Sequence, residues 1–387
     1  MRILITQREL IHRGGSELVT IEVARELARR GHQVAVFCPR VGDLPDIMYS
    51  AGVWTKTRLA DVPWTPDIIH GQHHLQAIAA ISYFLKIPAI YYCHGVFPWV
   101  EQVPVHPRIR TYVMMCQWMV RFVESKFAIP QERVVALPNF VNTKRFSQVR
   151  EPPDRPQRAV LFSNGGLPAD DLRRLEKACV NQGLSLDKIG RVYGTQQPRP
   201  EIFLLDYDLV FAAGKSALEA MACGCAVIPV IPGQAGNLIT MENFEERSYS
   251  NFSPRFYTSA EQVDSKWLAG ELQRYSPKTT MEVTEKVRSG RDLNTAVDRL
   301  EKLYVAAAED YINHKPSDEI AEFAPYLERI SSEVDAMWGE LEHHRHNVRM
   351  QLTAEERQHW FPALLHLVRS KILLKTSSKP VRGLDSS

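Results

Sequence analysis

Asp208–Pro229 reads DLVFAAGKSALEAMACGCAVIP, and this stretch decides the fold. Leu209, Val210 and Phe211 form a short apolar run, Gly214 permits a turn, and a helical stretch follows with Glu219 near its start. A second apolar run, Ala226, Val227 and Ile228, comes directly after Gly224. Short apolar runs that bracket a helix and are punctuated by glycine predict a strand–turn–helix–strand unit of a parallel sheet. Glu219 then stands above the carboxyl end of the first strand, the rim where open α/β sheets bind ligands, beside the positive end of a helix. A carboxylate there suits a ribose diol, whose two adjacent hydroxyls need an acceptor.

The same alternation runs through the first half of the chain. Ile3-Leu4-Ile5 predicts a buried strand, and a loop through Gly14-Gly15 leads to a helix from Ser16 that stops at Gly31. Val34–Phe37, Ile68-Ile69 and Ala89–Tyr92 are further short apolar runs, so the N-terminal region is a Rossmann-like parallel sheet. Arg150–Arg158, REPPDRPQR, has no apolar periodicity and reads as a linker before a new strand at Ala159–Phe162. The expected organisation is α/β: residues 1–150 and 151–312 as two Rossmann-like domains facing across a cleft, and 313–387 as a helical extension. The second domain is short by about one βα unit, and Leu293, Val297, Leu300, Tyr304 and Ala307 mark one apolar helix face.

In the extension, Phe323, Leu327, Ile330, Val334, Met337 and Leu341 recur at heptad spacing, with Pro325 near the start of their helix. This reads as a helix packed on the body of the protein; a dimerising coiled coil would need more heptads than are visible. Between Arg357 and Arg382 apolar residues mix with basic ones and no acid intervenes. Such a stretch can lie on an anionic membrane surface, and the alternative is a final helix with a solvated tail.

Apolar and charged fractions of 44% and 24% are those of an ordinary soluble globular protein, and a net charge of +2 argues against general nucleic-acid binding. The six cysteines sit mostly inside apolar runs, and Cys223-Gly224-Cys225 lacks metal or redox spacing. No secretory signal or membrane-spanning run is seen, so reducing cytoplasm is the expected compartment.

Four segments carry a family resemblance: Leu218–Ile228 (LEAMACGCAVI), Gly14-Gly15-Ser16-Glu17, Pro138–Phe146 (PNFVNTKRF) and Glu242-Asn243-Phe244. Their identity and order resemble the two-domain GT-B glycosyltransferases of family 4, over roughly residues 1–312. The resemblance implies transfer of a sugar from a nucleoside diphosphate sugar to a sugar, lipid-linked or other acceptor hydroxyl. Retention of configuration, no bound metal and no cofactor beyond the donor as co-substrate also follow from it. By the same carry-over Glu219 binds the ribose, Glu242 and Asn243 approach the base or sugar, and His94, with Gly95 leaving room, lies near the reaction centre. Gly14, Gly15 and Glu17 open the first helix beside phosphate or sugar, and Asn139 lies in the segment before the linker. By their position after the strand Ile68-Ile69, His70, His73 and His74 crowd the rim and line the acceptor cleft; a metal site is the sharper reading there, and polar lining or surface the commoner one for a His-x-x-His-His run.

Two positions depart from the family. Phe211 stands eight residues before Glu219, where the family has a sugar-contacting Glu, and Ser163–Asp170 lacks the family's Arg and Lys for the diphosphate. Gly214, Lys215 and Ser216 are expected to substitute, with Lys215 supplying the ammonium, and Asn164-Gly165-Gly166 to add an amide nest. These departures leave open a catalytically weak protein that binds nucleotide sugar or glycan, or docks a partner, on the same scaffold. An epimerase of this fold is the third reading, and GGSE and PNFVNTKRF favour a transferase over it.

Overall fold

The computed structural model describes residues 1–44, 48–127, 129–257, 261–314, 316 and 319–351. The basic stretch 357–382 lies outside the described residues. Met1–Glu322 form one compact unit and the residues from Phe323 onward a second.

The first sheet has seven parallel strands: β1 Arg2–Thr6, β2 Gln33–Phe37, β3 Trp54–Lys56, β4 Ile68–Gly71, β5 Ala89–Cys93, β6 Ile109–Met114 and β7 Val134–Ala136. Their order is β3-β2-β1-β4-β5-β6-β7, so the direction of winding reverses between β1 and β4. Helix α1, Gly15–Arg29, crosses from β1 to β2, and α2, His74–Tyr83, follows β4. Strands β1, β2, β4 and β5 coincide with apolar runs legible in the sequence. β6 was not legible because Arg110 interrupts it; its guanidinium is buried and paired with Asp310 at 2.5 Å. β3 and β7 are three-residue edge strands, too short for a periodicity.

A second parallel sheet is made by β8 Arg158–Phe162, β9 Ser185–Ile189, β10 Leu209–Phe211 and β11 Ala226–Ile228, in the order β9-β8-β10-β11. Its reversal lies between β8 and β10. Helix α3, Ala169–Asn181, joins β8 to β9, and α4, Gly214–Ala222, joins β10 to β11. Gly224 ends that connection at φ +86°, against the Arg150 carbonyl, in a space where no side chain fits.

Helix α5, Leu293–Asn313, ties the two sheets together. Its N-cap Asp292 accepts from the Asn294 amide and from the Thr143 hydroxyl, and the Val141 backbone bonds to Arg291 and Leu293 on either side. Along its length Val297, Leu300, Tyr304 and Ala307 enter the same core as Ile3, Ile5 and Ile90 of the first sheet.

Helix α6, Glu319–Gln351, places Pro325 at its seventh residue, deeper than the beginning expected from sequence. A turn forms upstream from Glu319–Glu322, a sequence with nothing to forbid it. Leu327, Val334, Met337 and Leu341 on its seam are 45–50% exposed. Among the described residues no helix is long and apolar enough to cross a membrane.

Candidate active site in the cleft between the two sheets

Both sheets place their reversal points at one cleft. From the first sheet come Arg13, Gly14 and Gly15, at the start of α1; from the second come Asn164 after β8 and Lys215, Ser216 and Glu219 on α4. Asn164 Nδ2 donates to the Arg13 carbonyl at 3.0 Å, joining the two rims. Neither α1 nor α4 has a side-chain N-cap. The terminal amides of α4 therefore have no internal side-chain anion, whereas the Glu17 carboxylate lies against the start of α1.

Glu219 is 2% exposed, and its Oε1 has no hydrogen-bond partner. Burial pushes its carboxyl up to about 7, against the opposing pull of Lys215. The Lys215 ammonium lies 3.8 Å from Glu219, but it donates to Glu22 at 2.8 Å and to the Phe140 carbonyl at 3.1 Å. Arg145 pairs with Glu201 at 2.8 Å and stands 3.7 Å from Glu22. Arg13 is close enough to Arg145 that burial and that neighbour both lower its pKa.

On the first sheet, His94 follows β5 and is part-buried, its ring tilted beside that of Tyr92 at 5.0 Å. Burial pulls its imidazole down to about 4, with Glu101 opposing, and it feels the charge of Lys215. His73 holds φ 55°, a left-handed conformation costly for a side-chain-bearing residue; it accepts from the Arg8 amide and meets Glu101 at 3.3 Å.

Residues 13–145 match the family Glycosyltransferase Family 4. A glycosyltransferase from Rickettsia africae is similar in structure at 13% identity and TM-score 0.59, covering 79% of this chain and 98% of its own. Anabaena HepE, solved with UDP-glucose, is similar at 14% identity and TM-score 0.59, covering 79% of this chain and 100% of its own. WaaG, a glycosyltransferase of lipopolysaccharide biosynthesis, has 13% identity and TM-score 0.52, covering 78% of this chain and 98% of its own. This is a GT-B glycosyltransferase fold, and residues 13–145 of it are similar to the family 4 domain. No curated protein matches the chain in sequence.

Within this GT-B fold the residues singled out in the sequence divide into two groups. Gly14, Gly15, Lys215, Ser216 and Glu219 share the cleft, and Glu17 folds back over Gly14, where an added Cβ would strike its carboxylate. Gly214 opens α4 at φ +61°, beside the Asn251 side chain that also accepts from Asn139 at 3.2 Å. Gly95 packs by Glu101 next to His94.

The other residues point elsewhere. His70 is fully buried, with Nδ1 2.7 Å from the Tyr304 hydroxyl, because its position on β4 turns it under α5 rather than toward the cleft. His73 and His74 are also buried, the latter edge-on to Trp99 at 4.6 Å. Glu242 is exposed, and Asn243 spends its side chain on the Thr240 amide and Leu238 carbonyl, stapling a turn. Gly165 is exposed, and the amides of Gly166 and Leu167 donate to Ser163 Oγ and the Tyr193 hydroxyl, so this loop is no free amide nest. Lys215 is likewise no free ammonium, since Glu22 neutralises it. Phe211 is a core residue against Trp267. Among the described residues no cluster of three or more His, Cys, Asp or Glu could hold a metal. Sequence reasoning gave no role to Arg13, next to Gly14-Gly15, or to Arg145, inside PNFVNTKRF, and only folding brings them to one place.

Proposed function

We propose that the protein transfers a sugar from a nucleoside diphosphate sugar to an acceptor hydroxyl, with retention and without a bound metal. The observation that carries this reading is Glu219, buried with an unpartnered oxygen beside two uncapped helix N-termini at the reversal points of both sheets. The ribose diol would donate to Glu219. The diphosphate would lie between the starts of α1 and α4, where Arg13 and Arg145 replace the family's missing Arg and Lys. Helix amides and guanidinium groups aimed at a leaving diphosphate stabilise the charge that develops as the sugar bond breaks. The sugar would then reach His94, and the acceptor, a sugar or lipid-linked hydroxyl, would approach from the first sheet. The family 4 likeness of residues 13–145 supports retention, and the likeness to HepE supports a nucleotide-sugar donor.

Phe211 and the internal pairing of Lys215 and Arg145 favour a second reading, a protein that binds nucleotide sugar but turns over weakly. Calorimetric titration with UDP, GDP, ADP and their sugar conjugates, on wild type and Glu219→Ala, tests the site. Binding of one nucleotide, lost in Glu219→Ala, is the expected result; a folded wild-type protein that binds none of them refutes the donor site. Hydrolysis or transfer from the bound donor then separates the two readings.

A further inference from the structure

Gln72 follows β4 directly, at the reversal point of the first sheet, and is wholly buried. Its backbone is pinned on both sides by one hydroxyl: Gln72 N–H donates to Thr6 Oγ1, and Thr6 Oγ1 donates to the Gln72 carbonyl, each at 2.8 Å. Its side chain sits between two histidines. Oε1 lies 2.5 Å from His94 Nε2 and 3.0 Å from Thr20 Oγ1, whose one proton is shared with Gln7 Oε1 at 3.0 Å, and Nε2 lies 3.4 Å from His70 Nε2. His70 Nδ1 in turn meets the Tyr304 hydroxyl of α5.

An amide oxygen only accepts and an amide nitrogen only donates, whereas a neutral imidazole carries one donor and one acceptor. With Oε1 facing His94, the proton of that ring sits on Nε2. With the amide nitrogen facing His70, the His70 proton sits on Nδ1 and is donated to Tyr304. Each contact along the chain Tyr304–His70–Gln72–His94 then joins a donor to an acceptor. His94 Nδ1 is left as a lone pair, without a partner among the described residues, on a ring that feels Lys215 at the start of α4.

We propose that Gln72 is a positioning residue that locks His94 as the neutral Nε2–H tautomer and presents its Nδ1 as a hydrogen-bond acceptor for a hydroxyl of the transferred sugar. The second half of this assignment rests on the donor reading above. The groups facing His94 are Tyr92, His73, Glu101, Lys215 and, through Gln72, His70. Burial outweighs Glu101, so the ring is neutral near pH 7. A neutral acceptor fits a hydroxyl, and a cation would not accept from one.

The test is two-dimensional ¹⁵N–¹H NMR of the histidine side chains in the full chain, without ligand, for wild type, Gln72→Leu and Gln72→Glu. The expected wild-type pattern is Nε2–H for His94, Nδ1–H for His70, and no protonation of His94 down to pH 5. Gln72→Leu should let His94 mix tautomers, and Gln72→Glu should raise its titration by about 1–2 pH units. In turnover, Gln72→Leu should lower kcat about tenfold with little change in the donor KM, since the ring would still be present but misdirected. A wild-type His94 that carries its proton on Nδ1, or a tautomer unmoved in Gln72→Leu, overturns the assignment. The tautomer is read without donor, so a missing nucleotide response in calorimetry counts against the donor reading alone.

Discussion

In the donor reading proposed above, the carboxyl of Glu219 serves as an anion in a place that does little to solvate one. Its folded pKa of about 7 stands above the ordinary 4.5. A raised carboxyl contributes stability that is complete below pH 4.5 and is lost as pH rises through 7. From this group alone the loss is about 3 kcal/mol between pH 4.5 and 8. Glu219→Gln should lack that fall, so urea unfolding at pH 5 and pH 8 should show the variant gaining on wild type at the higher pH. Ligand binding should run the opposite way. A ribose diol wants the ionised acceptor, so nucleotide affinity should rise about tenfold from pH 6 to pH 8 in wild type and stay level in Glu219→Gln. A wild-type affinity flat over that range would mean that Glu219 does not accept from the ligand. The sequence marked this residue because its spacing from the strand before it fixes its height on the rim. Spacing does not reveal which way a side chain turns. For that reason His70, one residue inside β4, faces the core, and Asn243, near Glu219 only by family order, closes a local turn.

At the scale of elements, the cleft is built from the first turns of α1 and α4, and their glycines separate stability from binding. Gly15 is the first residue of α1, and nothing lies within 4 Å of where its Cβ would be. Gly15→Ala should therefore be neutral or stabilising, by about 0.5–1 kcal/mol, because alanine orders a helix more cheaply than glycine. If the diphosphate approaches the bare backbone there, the same methyl should weaken nucleotide binding at least tenfold. Thermal unfolding and calorimetry on one sample decide this, and unchanged affinity would move the diphosphate away from α1. The elements on either side of these turns were legible wherever a continuous apolar run, even of two or three residues, stood beside a glycine turn or a helical pattern. They were hidden where tertiary pairing licensed a charge, as for Arg110 in β6, or where an edge strand was only three residues long. The loop after β8 misled for a related reason. Its glycines suggest an anion nest, but Gly166 takes φ +65° to pack against Val192 and Tyr193, and its amide is consumed by Ser163.

Across the whole molecule, the two sheets are held by α5 and by one buried charge cluster. Glu22 belongs to α1 on the first sheet and Lys215 to α4 on the second, each 7% exposed in its side chain, and they meet at 2.8 Å. Removing one partner of such a pair leaves the other charge largely buried and unpaired. Lys215→Met should cost about 3–5 kcal/mol in urea unfolding, because it abandons Glu22 and withdraws the cation that holds down the carboxyl of Glu219. Glu22→Gln added to it should recover part of that loss, giving a coupling of at least about 1 kcal/mol in the double-mutant cycle. Additive costs would mean that the ion pair closes the cleft in name only. Nucleotide affinity in the double variant carries a further consequence. If the pair holds the two sheets together over an empty site, releasing it should leave binding intact or strengthen it, because Arg13 and Arg145, not Lys215, are then the cations that meet the diphosphate. If binding is lost with Lys215 even when Glu22 is neutralised, the ammonium itself must leave Glu22 for the phosphate when the donor arrives.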